Sequence, residues 1–143
     1  MIGTISDVDE PMARTLIVED NLAFRQCLTD LLRTRFPFMT VEEADDGGAA
    51  LRKVKAMAPE IIFMDVKLPG ENGLQVTKKV KSKYPEITVI ILTYYDLPEH
   101  REAAVRCGAD YFLPKDTSAE AIVELVQSTL SKKGLGPARG SHR

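Results

Sequence analysis

Polar side chains able to do chemistry follow the apolar segments of this chain, at the point where each segment ends. Glu19 and Asp20 follow the run LIV, Asp65 follows IIFM, Thr93 follows VIIL, and Lys115 follows YFLP. Phosphoryl transfer to a carboxylate requires a nucleophile, ligands for a metal, a hydrogen-bond donor and a countercharge. These residue types therefore indicate phosphoryl-transfer chemistry, provided that the fold brings the five side chains together.

Short β-rich apolar runs alternate with longer amphipathic stretches, which is typical of repeated βα units around a parallel sheet. The predicted strands are Thr15–Val18, Met39–Glu43, Ile61–Met64, Thr88–Leu92 and Tyr111–Leu113. The predicted helices lie at or near Asn21–Phe36, Asp46–Ala56, Leu74–Tyr84 and Pro98–Cys107, with a fifth after residues 117–120. The pattern predicts an α/β fold with a doubly wound, parallel, five-stranded sheet.

Local signals mark the helices further. Pro98 suits the first turn of the fourth helix, and Gly108 suits a left-handed cap at its end. The sequence TSAE at 117–120 matches a capping box for the fifth helix. One face of the first helix is predicted to be apolar and to contain Leu22, Cys27, Leu28, Leu31 and Leu32, with Arg25, Asp30 and Arg33 outside it. Cys27 and Cys107 are predicted to be small buried hydrophobes without a ligand or disulfide role.

Length and composition limit the class of protein. The chain has 143 residues and a formal net charge of −2, which fits one compact domain without an overall attraction to nucleic acid or anionic lipid. No apolar run approaches the roughly 18 residues of a membrane span, and the start lacks a signal peptide. We therefore predict a cytoplasmic domain at 14–132 without membrane or direct nucleic-acid binding. Residues 1–13 are predicted to be a flexible leader, and 133–143 a flexible tail, truncated linker or vector-derived remnant.

In the strand order 2-1-3-4-5, the first and third strands are neighbours, and such sheets bind ligands outside the carboxyl ends of the strands. Glu19, Asp20 and Asp65 would then be close. Two charges about 4 Å apart repel by on the order of 4 kcal/mol, which raises a pKa or recruits a cation. Oxygen ligands without His or Cys favour Mg²⁺. The alternative for single residues is that Asp20 caps the next helix and Lys115 is a surface charge.

Four motifs resemble the receiver domain of two-component response regulators: LIVEDN at 16–21, MDVKLPGENG at 64–73, LTYYD at 92–96 and GADYFLPKD at 108–116. The resemblance implies a flavodoxin-like (βα)5 fold. It also implies that Asp65 accepts a phosphoryl group from a histidine kinase or histidine phosphotransfer protein. Mg²⁺ would be held by Asp20, Asp65 and the main-chain carbonyl of Lys67, with Glu19 acting through water.

The resemblance implies further roles beside the phosphoacceptor. Thr93 would donate its hydroxyl to one phosphoryl oxygen, and Lys115 would place its ammonium on another. Thr93 and Phe112 would form a conformational switch, unless Phe112 is only a core residue. Lys67 and Tyr95 would flank the phosphate, and we predict that they lengthen its lifetime by obstructing water. The alternative is that both side chains turn to solvent.

The chain departs from the commonest family pattern at two places. Tyr94 stands where a small residue is usual, so a bulky ring would narrow the approach to the phosphorylation site. Proline precedes Lys115 and Asp116 follows it, whereas the family commonly has proline after the lysine. The cis peptide bond often found there is therefore not implied for this chain.

The motifs leave the output open. LTYYD followed by PEHREAAVRCGADYFLPKD resembles receivers that precede a helix-turn-helix domain, which would make the chain part of a transcription regulator. The alternative is a stand-alone receiver that acts by protein contact. A partner or homodimer surface is expected near the fourth helix, fifth strand and fifth helix, with the candidates His100, Arg101, Tyr111 and Glu120.

Two other classes are disfavoured. An aspartyl-nucleophile phosphatase would have a second Asp where Lys67 stands. A flavin or nucleotide carrier would have a Gly- or Thr-rich phosphate loop where Glu19 and Asp20 stand. We therefore predict a phosphoacceptor that signals and assists its own phosphorylation, rather than an enzyme acting on other substrates.

Overall fold

The computed structural model describes residues 13–94 and 96–136, and every structural statement concerns this part of the chain. The predicted leader up to residue 12, the predicted tail from residue 137 and Tyr95 lie outside the described residues. Among the described helices, none is both long enough and apolar enough to cross a membrane.

Five strands alternate with five helices along the described chain. The strands are β1 (Ala13–Val18), β2 (Met39–Ala44), β3 (Ile61–Met64), β4 (Thr88–Thr93) and β5 (Tyr111–Pro114). The helices are α1 (Leu22–Arg35), α2 (Gly47–Met57), α3 (Gly73–Lys83), α4 (Pro98–Arg106) and α5 (Ala119–Lys132). The predicted elements are confirmed, with small differences at their ends.

All the strands are parallel, and their order in the sheet is β2-β1-β3-β4-β5. The predicted doubly wound fold is therefore confirmed. In the register, Val18 at the end of β1 lies opposite Met64 at the end of β3. Thr93 at the end of β4 lies opposite Pro114 at the end of β5. The residues after these strands consequently emerge at one edge of the sheet.

The core has two layers because side chains alternate between the two faces of each strand. One layer packs on α2, α3 and α4 and contains Leu16, Val18, Ile62, Met64, Val89 and Ile91 from the sheet. The other packs on α1 and α5 and contains Ile17, Ile61, Phe63, Ile90 and Leu92. Phe112 packs on the first layer and its neighbour Tyr111 on the second, so the two rings lie on opposite faces of the sheet.

Side-chain caps fix where the helices begin. The Asn21 side chain accepts a hydrogen bond from the backbone N–H of Phe24 at 2.9 Å, so Asn21 caps α1. The alternative of Asp20 as this cap is wrong. The cap of α5 is Ser118, which accepts from the N–H of Ala121 at 3.1 Å.

The predicted capping box at 117–120 is also wrong, because both of its side chains have other partners. The Thr117 hydroxyl donates to the carbonyl of Pro114 at 2.6 Å and therefore does not cap the helix. The carboxylate of Glu120 accepts from Arg35 on α1 at 2.7 Å instead of folding back on its own helix.

The buried face of α1 is narrower than predicted. Leu28, Thr29 and Leu32 are its buried residues. Leu22 is 55% exposed and Cys27 is exposed, so the predictions that place both in the core are wrong. Both lie off the stripe defined by Leu28 and Leu32, which faces the sheet at a spacing of four residues. Cys107 is half-buried and packs against the core beside α4.

Candidate functional site

The hydrogen-bonding pattern of the sheet continues one residue beyond the strands and thereby positions the acids. The N–H of Glu19 donates to Ala44 at 2.9 Å, and the N–H of Asp65 donates to Val18 at 3.1 Å. On the other side, the N–H of Lys115 donates to the carbonyl of Thr93 at 2.9 Å. Main-chain bonds thus hold the α-carbons of these residues, so their side chains start from defined positions at one edge.

Glu19, Asp20 and Asp65 form one acidic cluster, in which one carboxylate oxygen of each lies within 4.8 Å of the others. Glu19 and Asp65 are 2% and 6% exposed, whereas Asp20 is exposed. One oxygen of Asp65, Oδ1, is buried without a hydrogen-bond partner. A buried anionic oxygen without a donor is costly. Because hard divalent cations prefer oxygen ligands, the cluster fits Mg²⁺.

Lys115 completes the cluster from the end of β5. Its Nζ lies 2.6 Å from Oε1 of Glu19 and 3.1 Å from Oδ2 of Asp65. The rings of Phe24 and Tyr94 lie close to this side chain, and the centroid of each ring is 4.7 Å from Nζ. The side chain is only 3% exposed, so the alternative of a solvated surface charge is wrong.

The charges of the cluster shift the pKa values of two of its members. Burial raises the pKa of Glu19, and the charge of Asp65 adds to the rise, although hydrogen bonds from Lys115 and Asn21 oppose it. Burial acts to lower the pKa of Lys115, but its bonds to Glu19 and Asp65 and their charges outweigh burial and raise it. Lys115 is thus held as a cation. Since one cation serves two buried acids, repulsion between the acids remains.

The loop after Asp65 packs closely against the acid's own main chain. The N–H of Gly73 donates to the carbonyl of Val66 at 2.7 Å. A β-carbon at position 73 would overlap the main-chain carbonyl of Asp65, so only glycine fits there. The turn residue Gly70 has a φ of 80°, a conformation that glycine adopts without strain. Lys67 lies in this loop with its side chain exposed.

Of the predicted switch residues, Thr93 is the last residue of β4 and Phe112 is the second residue of β5. Thr93 is fully buried. Phe112 is half-buried, and the guanidinium of Arg101 lies 4.8 Å from its ring centroid. Tyr94, which was predicted to narrow the approach to the phosphorylation site, is 71% exposed and contacts Lys115. No described residue takes a cis peptide bond.

Sequence reasoning missed two residues of the site. Phe24 was not assigned a role, yet its ring lies against Lys115. Arg25 was placed outside the apolar face of the first helix, yet its Nη1 donates to the carbonyl of Glu19 at 2.8 Å. Their positions three and four residues after the cap Asn21 were the available signal, because the first turn of a helix that follows a strand end faces the site at that end.

Comparison with known proteins identifies the family to which this fold belongs. The sequence model of the response regulator receiver domain matches residues 15–127. The transcriptional regulatory protein YdfI of Bacillus subtilis (strain 168) is 33% identical over 119 residues, covering 83% of this chain and 55% of that protein. The transcriptional regulatory protein DegU of Brevibacillus brevis is 28% identical over 120 residues, covering 84% of this chain and 51% of DegU.

Among solved structures, a two-component response regulator of the LuxR family from Aurantimonas sp. SI85-9A1 superposes with a TM-score of 0.78. It is 26% identical, and the match covers 85% of this chain and 86% of that one. The chain belongs to the response regulator receiver family of two-component systems. It spans about half the length of the curated relatives that it matches.

Proposed function

We propose that this chain accepts a phosphoryl group on Asp65 from a histidine kinase or histidine phosphotransfer protein in a Mg²⁺-dependent reaction. The observation that supports this most directly is the difference between the two oxygens of Asp65. Oδ2 is bound by Lys115 at 3.1 Å, whereas the buried Oδ1 has no hydrogen-bond partner. Oδ1 is therefore the oxygen that no hydrogen-bond donor engages, in a site that already contains a countercharge.

Each group of the site has a role in this reaction. An oxygen of Asp65 forms the new bond to phosphorus as the bond between phosphorus and the donor's histidine nitrogen breaks. Lys115 neutralises charge on the transferred group, and the hydroxyl of Thr93 donates to a phosphoryl oxygen. Mg²⁺, when bound, supplies further charge neutralisation. Asp20, Asp65 and the main-chain carbonyl of Lys67 would hold it, with Glu19 acting through water.

Signalling requires that the phosphoryl group change the preferred conformation. In the proposed switch, Thr93 moves toward the phosphoryl group and Phe112 moves inward behind it. A shift of the population from 1:99 to 99:1 requires about 5.5 kcal/mol of preference for the active form. The half-buried position of Phe112 supports this role, because its ring contacts both the core layer and the guanidinium of Arg101.

The lifetime of the phosphoryl group is proposed to be long. Lys67 and Tyr95 would obstruct attack by water, as the sequence predicts. Among the described residues, the bulky rings of Phe24 and Tyr94 support the same outcome, because both lie against the lysine that faces Asp65. Loss of label from the phosphorylated protein measures this lifetime, and a half-life of seconds contradicts the proposal.

For the output, we propose the receiver part of a helix-turn-helix transcription regulator, acting in the cytoplasm without direct nucleic-acid contact by this segment. The transcriptional regulatory proteins among its relatives support this. A stand-alone receiver that acts by protein contact is the second candidate. A partner or homodimer would use the surface of α4, β5 and α5. Of the residues predicted there, Arg101 and Glu120 are exposed and pair with Asp96 and Arg35.

Phosphorylation by a small donor tests the proposed function. The protein is incubated with acetyl phosphate and Mg²⁺, and its intact mass is measured, with Asp65→Asn and a sample containing EDTA as controls. We expect one added phosphoryl group in the wild type only. Absence of the adduct in the wild type, or its persistence in Asp65→Asn, contradicts the proposal. Continuous turnover of excess donor by an unmodified protein would indicate an aspartyl-nucleophile phosphatase instead.

A further inference from the structure

Arg25 on α1 joins the end of β1 to the edge strand β2. Its Nε donates to Oε1 of Glu43 at 2.8 Å, and its Nη1 donates to the main-chain carbonyl of Glu19 at 2.8 Å. The other oxygen of Glu43 accepts from the Thr29 hydroxyl at 2.7 Å. The side chain of Arg25 is only 15% exposed. A largely buried guanidinium that donates two hydrogen bonds is held in one orientation, because its donors are planar and fixed relative to one another.

This contact fixes the residue from which the acidic cluster begins. The N–H of Glu19 donates to Ala44 at 2.9 Å, and its carboxylate accepts from the N–H of Asn21 at 3.0 Å. The carbonyl of Glu19 is the third point of attachment, and its partner is Arg25. That carbonyl belongs to the same planar peptide unit as the nitrogen of Asp20. Its orientation therefore sets the direction in which Asp20 leaves the strand.

Asp20 depends on this support more than its neighbours do. Asp65 and Glu19 are buried and contact Lys115, whereas Asp20 is exposed. The position of the Asp20 carboxylate thus follows from its main chain. Residues that orient the ligands of a metal commonly change its affinity by about 10- to 100-fold when they are removed.

We propose that Arg25, held by Glu43 and Thr29, is a positioning residue for the divalent cation, which acts by orienting the Glu19–Asp20 peptide. This inference rests on the proposed function, since it assumes that the acidic cluster binds Mg²⁺. It assigns a role to three residues that lie outside the cluster.

Positioning and simple electrostatics predict opposite results for the same variant. Arg25 is a cation near the proposed Mg²⁺ site, so if only its charge mattered, Arg25→Gln would tighten Mg²⁺ binding. If the guanidinium positions Asp20, Arg25→Gln weakens binding despite the lost repulsion. Thr29→Val provides a variant that changes neither charge nor side-chain size and removes only the bond to Glu43.

Arg33→Gln is the matched control. Arg33 lies on the same helix, and its Nη2 donates to the carbonyl of Val41 in β2 at 3.0 Å. It therefore resembles Arg25 in charge, helix and type of bond, but its bond goes to a strand residue away from the cluster. A loss of Mg²⁺ binding that is shared by both variants would reflect general damage to the packing of α1 on the sheet.

The Mg²⁺ dissociation constant of the unphosphorylated chain is measured by titration of backbone amide NMR signals, because the chain has no tryptophan for fluorescence. Thermal unfolding confirms that each variant is folded. We expect Arg25→Gln to weaken Mg²⁺ binding about tenfold. We expect Thr29→Val to weaken it by less, and Arg33→Gln to leave it within about twofold of the wild type, where no ligand-orienting bond is lost.

Three results overturn the inference. The first is an Arg25→Gln protein that binds Mg²⁺ as tightly as the wild type or more tightly. The second is an Arg33→Gln protein whose Mg²⁺ affinity falls as much as that of Arg25→Gln. The third, if Arg25→Gln does not fold, is an unchanged Mg²⁺ dissociation constant in Thr29→Val. The wild type and Asp20→Asn separate this inference from the proposed function. Failure of the wild type to bind Mg²⁺ overturns both, whereas tight binding that is lost only in Asp20→Asn overturns the role of Arg25 alone.

Discussion

The Nζ of Lys115 lies 3.1 Å from Oδ2 of Asp65, although 50 positions separate the two residues in the chain. The same Nζ lies 2.6 Å from Oε1 of Glu19, and all three side chains are buried. One buried cation therefore balances two buried acids, and the chemistry and the stability of the site both depend on that balance.

Replacing Lys115 with Met removes the only cation that contacts both acids among the described residues. Breaking a buried ion pair from one side commonly costs about 3–5 kcal/mol, because the remaining charge is left uncompensated. We expect Lys115→Met to lower the free energy of unfolding by about 3 kcal/mol at pH 7 without Mg²⁺. Urea unfolding measures this. The exposed Lys132→Met serves as a control, and equal stability of the Lys115 variant contradicts the prediction.

Replacing Asp65 with Asn is expected to change the free energy of unfolding in the opposite direction. It removes one of the mutually repelling charges and replaces one buried carboxylate oxygen with an amide nitrogen. Without Mg²⁺, we expect Asp65→Asn to raise the free energy of unfolding by about 1 kcal/mol, because Lys115 keeps Glu19 as its partner and the repulsion between the two acids is removed. Mg²⁺ should stabilise the wild type more than the variant. A variant that is less stable than the wild type without Mg²⁺ would contradict this account of the cluster.

Gly73 tests the close packing behind Asp65. A β-carbon at position 73 would overlap the carbonyl of Asp65, whereas one at Gly48 would make ordinary contacts. Both glycines lie in the first turns of helices, so Gly48→Ala is the control. We expect Gly73→Ala to destabilise the protein by about 1–3 kcal/mol and to slow phosphorylation. Gly48→Ala should be neutral or stabilising by up to about 1 kcal/mol. Similar effects of the two changes would contradict the proposed overlap.

Tyr94 tests whether a ring over Lys115 protects the site. Its ring is 71% exposed, so we expect Tyr94→Ala to cost no more than about 1 kcal/mol of stability. Because the ring lies against the lysine that faces Asp65, its removal should increase the rates of phosphorylation by acetyl phosphate and of later hydrolysis. The control is Val105→Ala, which changes a residue that is 73% exposed on α4. Unchanged rates in Tyr94→Ala would show that the ring does not limit access.

Glu43 gives the protein a predictable pH dependence. Burial acts to raise its pKa, but bonds from Thr29 and Arg25 outweigh burial and lower it. A lowered folded-state pKa contributes stability above the unfolded pKa of about 4.3, and this contribution is lost as pH falls through the folded value. We expect the stability difference between wild type and Glu43→Gln to be largest above about pH 5 and to shrink below about pH 4. A difference that is constant between pH 7 and 3 contradicts this.

Much of the fold was predictable because the inner strands β1, β3 and β4 contain apolar runs that are buried on both faces of the sheet. Ile61–Met64 is fully buried and bounded by polar residues, so the sequence defines its two ends. The polar residue after each of these strands also indicated the site, since the carboxyl ends of parallel strands share one edge. Strand composition and the residue that follows each strand thus determine most of what positions the acidic cluster.

The errors concern contacts that depend on the rotation of a helix or on a competing partner. Leu22 and Cys27 belong to an apolar pattern that is wider than the face α1 buries, and the rotation of α1 is fixed by its contacts with the sheet. The capping-box prediction did not include the bonds of Thr117 to Pro114 and of Glu120 to Arg35. Arg25 was likewise placed outside the apolar face of α1 without a partner, because Glu43 lies on another element.

The central claim is that Asp65 itself accepts the phosphoryl group in the pocket that it shares with Glu19, Asp20 and Lys115. Borohydride reduction of the phosphorylated protein converts an aspartyl phosphate to homoserine, and peptide mass spectrometry then locates it. We predict Mg²⁺-dependent homoserine at position 65 and at no other aspartate. Homoserine at position 20, or a phosphoryl group that forms equally well without Mg²⁺, would contradict the claim.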